Sequence, residues 1–121
     1  MSPKASIMII DDDPVHLQIY QLIVESAGFR GLPVLVSSLG MEFPEREQVN
    51  AVLLDYRLAP NISARDVALE VKARYPSAPI VLLSDLQQAP ADTASLVQTF
   101  VRKGNPEKLL EALRDLVGSP A

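Results

Sequence analysis

Short, wholly apolar runs alternate along the chain with longer stretches in which apolar positions recur at helical spacing. Residues 5–10 form the first such run, as expected of a strand buried on both faces of a parallel sheet. Asp13-Pro14 opens a helix, because aspartate caps well and proline is tolerated at the first helical position. Val15, Ile19, Leu22 and Ile23 mark one face of that helix, with Tyr20, Val24 and Ala27 beside it, and Gly28 is a natural stop. Residues 32–36 read as a second strand. Pro33 inside it predicts a sheet edge, since proline cannot donate to a ladder. Gly40 and Pro44 interrupt residues 38–48, so an abbreviated helix or a loop is expected there. Residues 51–54 are a third strand. A helix capped by Ser63 follows, with Ala64, Val67, Ala68, Val71 and Tyr75 inward, and Pro76 ends it. Residues 79–83 and 99–102 are the fourth and fifth strands. Between them Pro90 leaves room for about two helical turns at 91–97. Asn105-Pro106 opens the last helix, whose apolar face is Leu109, Leu110, Leu113, Leu116 and Val117, and Gly118 stops it.

Strand–helix alternation of this kind predicts an α/β fold: a doubly wound, five-stranded parallel sheet with helices on both faces and short or irregular second and fourth helices. At 121 residues the chain is expected to be one domain over 1–121, with an ordered core over about 5–117 and a tail at 118–121.

Composition narrows the chemistry. The absence of cysteine excludes disulfides, thiol catalysis and cysteine-ligated metals, and the single histidine, His16, excludes any site needing two imidazoles. No run approaches the ~20 apolar residues of a membrane span, and the first apolar run is too short for a signal peptide. A soluble, cytoplasmic protein without a membrane partner is expected. The formal net charge is −4, from 15 acidic and 11 basic residues. Four of the acids, Asp11, Asp12, Asp13 and Asp55, end apolar runs, and the remaining charges balance. Direct nucleic-acid binding is not expected, because it wants a basic excess.

The reactive residues stand at the carboxyl ends of strands, where open parallel sheets form their sites. Asp11, Asp12 and Asp13 follow the first strand, Asp55 the third, Ser84 the fourth and Lys103 the fifth. In the order 2-1-3-4-5 the first and third strands are neighbours, and their carboxylates converge. Crowded carboxylates take up protons unless a cation neutralises them, and an oxygen-rich site suits Mg²⁺, Mn²⁺ or Ca²⁺. Asp12 would ligate directly, Asp11 through water, and Asp55 would be shared. A carboxylate can also attack phosphorus to form an acyl phosphate, with Lys103 and the Ser84 hydroxyl stabilising the phosphoryl oxygens. Asp13, followed by proline, reads as the helix cap. His16, on the first turn of that helix, reads as a surface residue; the functional alternative is contact with an incoming phosphodonor. Tyr56 could shield an acyl phosphate from water or pack on the surface.

Segments 7–14 (IMIIDDDP), 52–58 (VLLDYRL), 80–85 (IVLLSD) and 100–110 (FVRKGNPEKLL) together resemble the CheY-like receiver domain of two-component response regulators. The resemblance implies a flavodoxin-like fold. It further implies that Asp55 is the phosphoacceptor and that Mg²⁺, with Mn²⁺ as a substitute, is held by Asp11, Asp12, Asp55 and the backbone carbonyl of Arg57. Ser84 and Lys103 complete the site, and Ser84 and Phe100 form the switch. The implied partners are a histidine kinase or histidine phosphotransfer protein as donor, a downstream protein, and a second copy in a homodimer. The only catalysis implied is of the domain's own phosphorylation and dephosphorylation. The sequence departs from the family at Gly104, where proline usually follows the lysine in a cis peptide, and in the shortened stretch before the fifth strand.

Two other readings compete. A pseudo-receiver would keep the fold as an interaction module without phosphorylation control. A haloacid-dehalogenase-like phosphatase would use Asp11 as nucleophile, but needs an acidic pair after a further strand beyond the lysine.

Overall fold

A computed structural model describes residues 4–44, 48–58, 61–88 and 90–118. Eight elements follow in order: β1 (Ser6–Asp11), α1 (Pro14–Ser26), β2 (Arg30–Leu35), β3 (Ala51–Asp55), α2 (Ala64–Arg74), β4 (Ile80–Ser84), β5 (Thr99–Arg102) and α3 (Pro106–Val117). The strands form one parallel sheet in the order β2-β1-β3-β4-β5. Pro33 lies on the edge strand β2, opposite Ile9, where its missing N–H costs the sheet nothing.

Side-chain alternation along the strands divides the core into two layers. Met8, Ile10, Val52, Leu54, Ile80 and Leu82 pack with Ala64, Val67, Ala68 and Val71 of α2. Ile7, Ile9, Ala51, Leu53, Val81 and Leu83 pack with Leu17 and Val24 of α1 and Leu109 and Leu113 of α3. The two layers explain why 7–10 of β1, and β3 and β4 up to their polar ends, are apolar at every position. Leu82 is fully buried in the middle of the first layer. Leu82→Ala should therefore cost about 2–5 kcal/mol, read as a lower urea midpoint at unchanged denaturant slope.

The caps follow the sequence. Asp13 Oδ1 accepts from the Val15 amide at 2.9 Å, Ser63 Oγ from Asp66 at 3.0 Å, and Asn105 Oδ1 from Lys108 at 3.1 Å. Gly118 takes a φ of 84° after α3, a conformation that favours glycine.

The structure corrects two expectations and decides between the two alternatives of another. First, α1 is rotated from the expected face: Tyr20, Ile23, Val24 and Ala27 of the expected residues pack in the core, joined by Leu17. Leu17 and Val24 are buried, while Val15, Ile19 and Leu22 are exposed. Apolar residues surround most of this helix, so spacing alone does not choose a face, and Leu17 wins the contact with the sheet. Second, no helix is described at 38–44 or 48–50; Ser37 and Gly40 instead close a small antiparallel bridge. Residues 45–47 of the expected segment lie outside the described residues, as do residues 119–121 of the expected tail at 118–121. Third, 91–96 is a series of turns, not a helix. The Pro90 carbonyl accepts from both Thr93 and Ala94, and Thr93 from Leu96. Long-range side-chain bonds hold this segment. The Tyr56 hydroxyl donates to the Asp92 carboxylate at 3.2 Å, and Arg65 donates to the Asp92 carbonyl at 2.8 Å.

Candidate functional site

The carboxyl ends of β1, β3 and β4 lie side by side. Ile10 pairs with Leu54, and Asp55 with Leu83. Asp11 and Asp55 alternate onto the side of the sheet that carries α1 and α3, continuing Ile7-Ile9 and Ala51-Leu53. Both are buried, with 1% and 3% of their surface exposed. Each carboxylate folds the chain behind it: Asp11 Oδ1 accepts from the Asp13 amide at 3.1 Å, and Asp55 Oδ1 from the Arg57 amide at 3.1 Å. The carboxylates therefore shape the loops that surround them.

Lys103 reaches the same point from beyond β5. Its amide donates to the Ser84 carbonyl at 2.9 Å, which extends the β4–β5 ladder and fixes the lysine's origin. Its Nζ stands 2.9 Å from Asp55 Oδ1. Burial works against the ammonium charge, but the hydrogen bond and charge of Asp55 outweigh it and raise the Lys103 pKa. Gly104 follows with a φ of 87° and a trans peptide. The positive φ supplies a sharp turn at the position after the lysine.

Asp11 carries the electrostatic strain. Burial, then the charge of Asp55, push its pKa up to about 7, while the bond from the Asp13 amide opposes them. Its Oδ2 is buried without a hydrogen-bond partner. A buried carboxylate oxygen without a donor, beside a second buried carboxylate, fits a divalent cation. Asp12 itself is exposed at the mouth of the site. The tight group of ligand atoms, all within 4.8 Å of one another, is formed by Asp11, Asp55 and His16. The sequence reading places His16 on the surface. The structure brings it over the acids because Asp13 caps α1 and presents the first helical turn to the end of β1. Its spacing from Asp13, three residues on, was the available signal.

Ser84 is fully buried, and its Oγ accepts from the Leu86 amide at 3.1 Å. By strand alternation it follows Ile80 and Leu82 onto the α2 side. Phe100 is half-buried, opposite Leu82 in the ladder, and packs against that same layer. Arg57 is exposed, and its side chain reaches Asp85 at 3.5 Å. Beside Lys103 a groove of about 320 Å³ runs between α1 and α3, lined by His16, Ile19, Tyr20, Ile23 and Pro106 among others. No described helix is long and apolar enough to cross a membrane.

No protein-family model and no curated protein matches the sequence. Solved structures do match. Chemotaxis protein CheY4 of Vibrio cholerae is 17% identical with a TM-score of 0.77, over 94% of this chain and 99% of that one. The receiver domain of a sensor histidine kinase from Pseudomonas aeruginosa, with magnesium coordinated in its active-site cleft, is 23% identical with a TM-score of 0.75, over 97% of this chain and 100% of that one. Response regulator TrrA of Thermotoga maritima, in complex with Mg²⁺ and beryllofluoride, is 20% identical with a TM-score of 0.72, over 93% and 98%. The chain has the fold of the CheY-like response-regulator receiver domains, which its sequence resembles.

Proposed function

We propose that the chain is a phosphoacceptor, taking a phosphoryl group onto Asp55 from a phosphohistidine on a histidine kinase or histidine phosphotransfer protein. The observation that carries this reading is the contact between Lys103 Nζ and a buried Asp55 oxygen, beside a second buried carboxylate with an unpartnered oxygen. An Asp55 oxygen attacks phosphorus, the bond to the donor imidazole breaks, and an acyl phosphate forms. Lys103 shifts from the carboxylate to the phosphoryl oxygens as negative charge moves there. The Ser84 hydroxyl has its hydrogen free to donate, since its oxygen is the acceptor from Leu86. Asp11, Asp12 and Asp55, with the Arg57 carbonyl, are the residues that would hold Mg²⁺ or Mn²⁺. A bound ion supplies charge neutralisation at the phosphoryl group.

The donor has a place to dock. Val15, Ile19 and Leu22 form an exposed apolar stripe on α1, and Ile19 also lines the groove that leads to Lys103. Phosphorylation would shift Ser84 and Phe100 between two arrangements and so alter a surface read by a downstream protein or a second copy of the chain. Beyond its own phosphorylation and dephosphorylation the chain needs no catalysis for this role. The pseudo-receiver reading draws on one observation, the turns at 91–96 in place of the expected helix. The phosphatase reading would make Asp11 the nucleophile, whereas the lysine ammonium stands against Asp55.

Beryllofluoride with Mg²⁺ separates the first two readings. A phosphoacceptor should gain several degrees in Tm from the pair of additives together, at ligand about 100-fold above Kd, and Asp55→Asn should not respond. No shift in the wild type would favour the constitutive module.

A further inference from the structure

The single histidine of the chain stands at the cation site. His16 Nδ1 is 3.6 Å from Asp11 Oδ2, and its Nε2 is 3.6 Å from Asp13 Oδ2. Two ligand atoms of one tetrahedral ion, each about 2.1 Å from it, stand about 3.4 Å apart. The Nδ1–Oδ2 separation is close to that value. Two further observations point the same way. Asp11, with 1% of its surface exposed, aims at this imidazole an oxygen that no donor satisfies. On the far side of the ring, the Asp13 carboxylate stands 3.6 Å from Nε2, just beyond hydrogen-bond distance, on the side from which an outer carboxylate orients a metal-bound imidazole.

We propose that His16 is a nitrogen ligand of this site, alongside Asp11 and Asp55, and that it makes the site prefer a borderline first-row dication, Zn²⁺ above all, over Mg²⁺. Imidazole and carboxylates together suit such ions, whereas Mg²⁺ takes oxygen ligands and retains waters. The residues are consistent with both uses, because a half-exposed imidazole can turn aside when Mg²⁺ binds to the acids alone. The proposal rests on the cluster being a cation site, as the proposed function also requires, but it concerns which ion is preferred and through which atom.

With only one histidine, the imidazole reports without ambiguity. The untagged chain, labelled with ¹⁵N-histidine, is titrated with Zn²⁺ and separately with Mg²⁺, each followed by calorimetry and by the imidazole nitrogen resonances. Zn²⁺ should move the Nδ1 resonance at one equivalent. His16→Ala, at a half-exposed position, should keep the fold, weaken Zn²⁺ at least about ten-fold, and leave Mg²⁺ affinity within about two-fold. Equal Zn²⁺ affinity in both proteins with an unmoved imidazole would overturn the proposal and leave the Mg²⁺ reading intact. Failure of both ions to bind would overturn both.

Discussion

Asp11→Asn is expected to stabilise the cation-free protein by about 2–4 kcal/mol above neutral pH and to remove its stabilisation by Mg²⁺. The Asp11 pKa rises from 3.8 to about 7 on folding, chiefly through burial and then through the neighbouring charge of Asp55. Between those two values the folded protein binds more protons than the unfolded chain. Stability contributed by this group therefore falls as pH rises through that window, and the whole penalty is present above it. Asparagine keeps the Oδ1 that accepts from the Asp13 amide and cannot ionise. In chelator, urea midpoints of wild type and variant should converge near the acid end and diverge toward about pH 8. Mg²⁺ should then restore the wild type, because a cation relieves what the asparagine abolishes. Parallel curves at every pH would mean that Asp11 ionises freely and that the cluster is not strained.

Lys103→Met is expected to act in the opposite sense on stability and to slow phosphoryl labelling by about 10²–10³-fold. Asp55 loses the ammonium at 2.9 Å and keeps one amide donor, from Arg57. A buried charged acceptor stripped of a partner costs about 1–3 kcal/mol; Lys103 is partly in contact with solvent, which favours the lower end. The labelling defect is the larger effect. The nucleophile remains, but the positive charge that would follow the phosphoryl oxygens is gone. Rates of adduct formation from acetyl phosphate, read by intact mass, give the ratio. An unchanged rate would leave the Lys103–Asp55 contact as a purely structural pair.

The contrast between these two variants reflects what sequence spacing can and cannot carry. Strand ends were legible: the apolar runs of β1, β3 and β4 stop at Asp11, Asp55 and Ser84, Lys103 stands one residue past the end of β5, and the order of strands brings the first three ends together. Pro33 at the edge and the caps at Asp13, Ser63 and Asn105 were local chemistry, and local chemistry is what a sequence displays. The inward face of α1 was not. Val15, Ile19 and Leu22 have the same spacing as a buried stripe, and only the packing against β1 and β2 shows that Leu17 and Val24 face the sheet. The segment before β5 was half legible. Pro90 limits a helix, but the bonds that set its turns come from Tyr56 and Arg65, distant in sequence. His16 was legible only in hindsight, since its nearness to Asp11 depends on the angle at which α1 leaves β1.

The exposure of Val15, Ile19 and Leu22 also changes the account of partners. Read as core, these residues explain α1; exposed, they form an apolar stripe, of which Ile19 also lines the groove beside Lys103, and under the proposed function that stripe is where a donor would dock.

The central claim is that Asp55 is a cation-dependent phosphoacceptor, and intact mass after treatment with acetyl phosphate and Mg²⁺ tests it most directly. The account predicts a single phosphoryl adduct on the wild type, lost when Mg²⁺ is chelated and absent from Asp55→Asn. No adduct on the wild type, or an equal one on Asp55→Asn, would contradict it.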